Sequence, residues 1–96
     1  MASVRDLKKD IDYLVSLVVV DCFQYINYFE NADKEAAYKI VETIMADRRA
    51  LRQRVNHPDG KDDRKLARKH FHKIGEDLMK ACDQAYVDLG KLVEKS

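Results

Sequence analysis

Apolar residues recur every three or four positions through almost all of this 96-residue chain, and the pattern is broken only twice. That period stacks apolar side chains on one face of a helix, whereas a half-buried strand alternates at every second residue. The stronger break is His57-Pro58-Asp59-Gly60, where proline ends a helix and Asp-Gly supplies turn conformations. The weaker is Asn31-Ala32-Asp33, where Asn and Asp compete for backbone hydrogen bonds and Asp33 can cap the next helix. Three helices are therefore expected, near 3–30, 33–56 and 61–95, in one domain over 1–96. Three glycines and one proline are too few for a β architecture built on tight turns. Short connections make neighbouring helices antiparallel, so the expected fold is all-α, an antiparallel up-down-up three-helix bundle with long helices.

Each segment has its own apolar stripe. In the first, Val4, Leu7, Ile11, Leu14, Val15, Val18, Cys22, Tyr25, Ile26 and Phe29 share a face, and Ser3 with Asp6 resembles a capping box. A second row, Tyr13, Leu17, Val20 and Tyr28, lies roughly 120–180° around the same helix. One stripe suffices for a helix at the edge of a bundle, so the second row predicts a dimer interface, with Phe23 near its margin. The second segment offers Ala37, Ile40, Val41, Ile44, Leu51 and Val55, with Asp47 and Arg48 intruding on that face. The third offers Ala67, His70, Phe71, Ile74, Leu78, Ala81, Cys82, Ala85, Leu89 and Leu92, with Gly75 and Gly90 inside it. At 1.5 Å per residue the segments would span about 40, 35 and 50 Å, so the third must overhang, kink at Gly75 or fray beyond Gly90.

Charge is distributed unevenly. Residues 48–73 carry ten Lys or Arg against three acids, while the other seventy residues carry eight against fourteen. A chain of net charge +1 is thus strongly dipolar, which bears on partners more than on fold. Basic residues at a helix C-terminus, such as Arg49, Arg52 and Arg54, are explained by the helix dipole. Arg64, Lys65, Arg68 and Lys69 are not, because they sit near a helix N-terminus that Asp62 and Asp63 already satisfy. Up-down-up topology adds Arg5, Lys8 and Lys9 to the same end. The candidate patch for an anionic partner is Arg52, Lys61, Arg64, Lys65, Arg68 and Lys69.

No catalytic, cofactor-binding or metal-ligating residue is assigned. Asp21, Asp47, His70 and Asp77 lie on or beside apolar stripes, as inward groups of helical metal sites do, but no Glu-x-x-His or paired-carboxylate motif accompanies them. Hydrogen bonds at the stripe margins, from Tyr25 or Tyr28 to Asp21 and between Asp47 and Arg48, would account for the first two. His70 and His72 project about 200° apart on one helix and cannot chelate one ion together. Cys22 and Cys82 have no CxxC partner and read as reduced core residues of a cytoplasmic protein. The longest apolar run, Leu17 to Val20, is far too short to span a membrane, and the first residues lack the apolar region of a signal peptide.

Asp6-Leu7-Lys8-Lys9-Asp10-Ile11-Asp12-Tyr13-Leu14, then Asp21-Cys22-Phe23 and Arg54-Val55-Asn56-His57-Pro58, resemble a group of small uncharacterised helical proteins from Bacteroidetes-type bacteria. The resemblance covers most of the chain in pattern. It implies a bacterial cytosolic protein and carries over no functional residue.

Three functions remain open at this level. The first is a homodimeric interaction module whose basic end docks an acidic or phosphate-bearing partner. The second is a nucleic-acid-binding protein that reads phosphates without base specificity. The third is a small metal-dependent enzyme using the inward carboxylates.

Overall fold

The computed structural model describes residues 4–57 and 63–96 and is all-helical, with the helices packed as a three-helix bundle. The helices are α1 (Val4–Tyr28), α2 (Lys34–Asn56) and α3 (Arg64–Lys95). Ser3, Pro58, Asp59, Gly60, Lys61, Asp62 and the side chain of Val4 lie outside the described residues, so the expected cap of α1 and three of the four residues of the second break do too.

Local chemistry sets the ends. The first connection spans 29–33, two residues earlier than expected for the end of the first helix. Asp33 caps α2 by accepting a hydrogen bond from the Ala36 amide at 3.1 Å. Asp63 caps α3, accepting from the amides of Lys65 at 2.9 Å and Leu66 at 3.4 Å. Its extended backbone starts that helix at Arg64 rather than 61. Where α2 ends, His70 of α3 lies 2.7 Å from the Arg54 carbonyl through Nε2, and the imidazole N–H satisfies one of the last orphan acceptors.

Contacts between helices define the register. Asp12 meets Arg48 and Arg52, and Phe23 meets Tyr38, so α1 and α2 are antiparallel. Arg54 meets Asp77, and Ala36 to Asp47 line one groove with Ala81 to Leu92, so α2 and α3 are antiparallel as well. Asp21 meets Tyr86, and Leu7 lines a groove with Phe71, so α1 and α3 run parallel with an offset near 65 residues. The topology is up-down-up. Helix α3 passes through Gly75 and Gly90 without a break, so its extra length overhangs. Its 32 residues reach about 48 Å, close to the 53 Å long dimension of the molecule.

The three stripes meet as expected. Ile11, Val18, Cys22, Ala37 and Ile74 are fully buried, and Leu14, Val41, Phe71, Ala81 and Leu92 pack half-buried around them. Among the described residues, every buried side-chain nitrogen or oxygen has a hydrogen-bond partner. Among the described residues Tyr25 is the one buried residue with a side-chain oxygen or nitrogen to satisfy. Its hydroxyl accepts from the Asp33 amide at 2.8 Å and donates to Ser96 Oγ at 2.8 Å, and Ser96 Oγ donates in turn to the Leu92 carbonyl. One phenol thus ties the end of α1 to the start of α2 and the end of α3. Among the described residues no helix is long and apolar enough to cross a membrane.

Candidate functional site

The first turns of α3 carry the core of the basic end. Asp63 has used its carboxylate on the helix cap, and Arg64, Lys65, Arg68 and Lys69 follow on exposed positions. None of the four has a side-chain hydrogen bond or ion pair among the described residues. Arg68 and Lys69 flank a groove floored by Leu7, Phe71, Gly75 and Met79 and faced by Asp10. The groove joins the start of α1 to the start of α3, so Arg5, Lys8 and Lys9 belong to this end as the topology requires.

Other cations of this segment are committed elsewhere. Arg52 Nη1 lies 2.7 Å from Asp12 Oδ2, and Arg48 Nε lies 2.9 Å from Asp12 Oδ1. Two arginines one turn apart on α2 therefore clamp a single carboxylate of α1. Arg54 Nη1 lies 2.8 Å from Asp77 Oδ2, and Lys73 holds the other oxygen of Asp77 at 3.3 Å. The Arg54 guanidinium, with Lys73 beside it, holds the Asp77 carboxyl below the usual range. Of the expected patch, Arg52 is thus turned onto α1, and Lys61 lies outside the described residues. The members of that patch without an ion pair among the described residues are Arg64, Lys65, Arg68 and Lys69.

The four inward polar groups do not converge. Asp77 belongs to α2–α3 pairing and His70 to the α2 cap. Asp21 takes a 2.7 Å hydrogen bond from the Tyr86 hydroxyl of α3, not from Tyr25 or Tyr28 of its own helix. Desolvation and that bond push the Tyr86 phenol up to about 12. The expected Asp47–Arg48 bond is absent, because Arg48 reaches across to Asp12, and half-buried Asp47 lines a shallow groove between α2 and α3. Among the described residues no group of three His, Cys, Asp or Glu could hold a metal ion. Cys22 and Cys82 are both buried and free, and burial, reinforced by Asp21 and Asp83 respectively, pushes their thiols up. Both remain protonated at neutral pH and are poor nucleophiles.

The second row of α1 faces outward. Tyr13, Leu17, Val20 and Tyr28 are exposed by 63, 39, 48 and 84%, and Phe23 packs edge-on against Tyr38 of α2 with ring centroids 6.4 Å apart. Sequence reasoning located this row and the four unpaired cations. It missed the Asp12 clamp, the Asp21–Tyr86 bond and the Tyr25 hub. The available signal was that Asp12 and Asp21 flank the apolar stripe on opposite sides, each aimed at a neighbouring helix.

No protein-family model matches the chain, and neither does any curated protein or solved structure.

Proposed function

We propose that the chain is a small helical interaction module that works as a homodimer and docks an acidic or phosphate-bearing macromolecule through its basic end. The observation that carries this reading is the set Arg64, Lys65, Arg68 and Lys69, exposed together on the first two turns of α3 with no side-chain ion pair among the described residues. Like charges at i, i+4 destabilise a helix slightly, by about 0.2–0.5 kcal/mol a pair, so the cluster does nothing for the fold. Phe71, in the floor of the groove, is one half-buried ring packed against the core and not a run of stacking platforms for successive bases, which favours a protein partner over single-stranded RNA. The exposed row on α1 supports the dimer, since burying each Leu or Tyr there would be worth about 1.5–3 kcal/mol. The two reduced, buried thiols suit a reducing compartment, and we place the protein, with the group it resembles, in the bacterial cytoplasm.

The test is binding of the full chain to heparin, RNA and a polyglutamate peptide across a salt series. Arg68→Glu with Lys69→Glu should abolish binding and leave the thermal melt unchanged. Binding that survives the double reversal, or none at low salt by the unaltered chain, would remove the patch from the function.

A further inference from the structure

Between Tyr13 and Tyr28, α1 exposes eight side chains, and not one is charged. Five are the apolar and aromatic residues already described, and the others are Ser16, Gln24 and Asn27. Elsewhere on the same surface, five of the eleven exposed residues of α2 and eleven of the nineteen of α3 are Lys, Arg, Asp or Glu. A neutral strip more than four turns long, on a chain that is 36% charged, is a face across which two identical surfaces can meet without repulsion.

The molecule's charge decides how they would meet. At mid-length, residues 5–16, 45–57 and 63–81 form one half, with thirteen Lys or Arg against seven acids. Residues 17–44 and 82–96 form the other, with four against eight. Among the described residues the halves are +6 and −4. Helix α1 runs from the first half to the second. Two copies paired in parallel would set +6 beside +6, whereas an antiparallel pair sets each positive half beside a negative one. Paired helix axes lie about 8–10 Å apart, near one Debye length at physiological salt, so flanking charges still sense one another.

Resting on the homodimer reading, we infer that a second copy of this chain covers the neutral face of α1 in antiparallel orientation, about a two-fold axis near Val20, giving a particle with a basic end at each pole. The strip fixes the register. Its midpoint falls between residues 20 and 21, and the exposed charges of Lys9 and Asp10 precede it while that of Glu30 follows it, so only the centred arrangement overlaps both strips fully. Tyr13 of each copy then comes opposite Tyr28 of the other. Asp21, which is turned toward Tyr86, stays out of the contact. Such a dimer is bivalent, with its two sets of Arg64, Lys65, Arg68 and Lys69 facing opposite ways.

The test uses the full chain with single Tyr13→Cys and Tyr28→Cys substitutions, both at exposed positions, one variant carrying a size tag. After mixing under reducing conditions to allow exchange, mild oxidation should give the mixed disulfide and little self-linkage. Two copies of position 13 would lie about 22 Å apart in the antiparallel pair, far beyond the roughly 7 Å Cα separation that a disulfide tolerates. Self-linked Tyr13→Cys and Tyr28→Cys dimers in place of the mixed one would establish the parallel pair and overturn the inference. Sedimentation of the unaltered chain separates the remaining outcomes. A dimer that gives none of these links meets on another face and overturns the inference alone. A monomer at high concentration overturns the homodimer reading as well.

Discussion

Asp77 holds an arginine of α2 and a lysine of its own helix, and its titration is a direct readout of the α2–α3 contact. A carboxyl whose folded pKa lies below its unfolded value stabilises the fold at pH values above the unfolded pKa, about 3.9, and loses that contribution as pH falls through the folded value. Asp77→Asn should therefore melt lower than the unaltered chain at pH 7, with the gap closing below pH ~4. A gap that stays constant on acidification would mean that the charge of Asp77 is not what matters. Tyr86 has the opposite sign. Its raised phenol favours the fold at pH values below the unfolded pKa, about 10, and that contribution is lost as pH climbs toward about 12. Tyr86→Phe should accordingly lose less stability than the unaltered chain on going from pH 9 to pH 12, measured by helical circular dichroism. Gly75 and Gly90 are simpler, since a methyl group at either position would meet no atom within 4 Å. Each Gly→Ala change should raise stability by about 0.5–1 kcal/mol in denaturant unfolding.

At the level of elements, α1 differs from the others by presenting apolar residues on two faces. The inner stripe was legible from sequence because it obeys the 3.6-residue period without exception from Leu7 to Tyr25. The outer row was equally legible as a pattern, but only the packed bundle shows that neither α2 nor α3 covers it. Leu17→Glu with Val20→Glu should leave the helical content of the chain intact and shift its sedimentation to the monomer. Loss of helicity would instead make the row part of the fold. Helix ends were legible where a side chain sets them. Asp33 caps as its position suggests, whereas Asp63, inside the helix expected from 61, caps α3 at Arg64 instead, and Asp63→Ala should cost about 0.5–2 kcal/mol with unravelling confined to the first turn of α3.

Across the whole molecule the polarity of charge outlasts all the pairing. Asp12 neutralises part of the basic half by holding Arg48 and Arg52. Those groups are about one third exposed or more, so the clamp contributes under about 1 kcal/mol to stability. Its larger effect is on what the basic end has free. Asp12→Ala should release both arginines and steepen the salt dependence of binding to a phosphate polymer by up to about two counterions, with little change in the melt. An unchanged slope would place Arg48 and Arg52 away from the docking surface.

Local period and composition are enough to set the class of fold, the order and approximate limits of the helices, the core stripes and the polarity of charge. Which polar groups meet depends instead on how the helices pack. Arg48 neighbours Asp47 in sequence yet bonds Asp12, 36 residues away, and Asp21 bonds Tyr86, 65 residues away. Those choices depend on the rotation of each helix about its axis and on the offset between helices, which a repeating stripe leaves free by a turn. Packing of the fully buried Ile11, Ile44 and Ile74 selects one rotation and one offset, and the polar pairs at the margins are set by it.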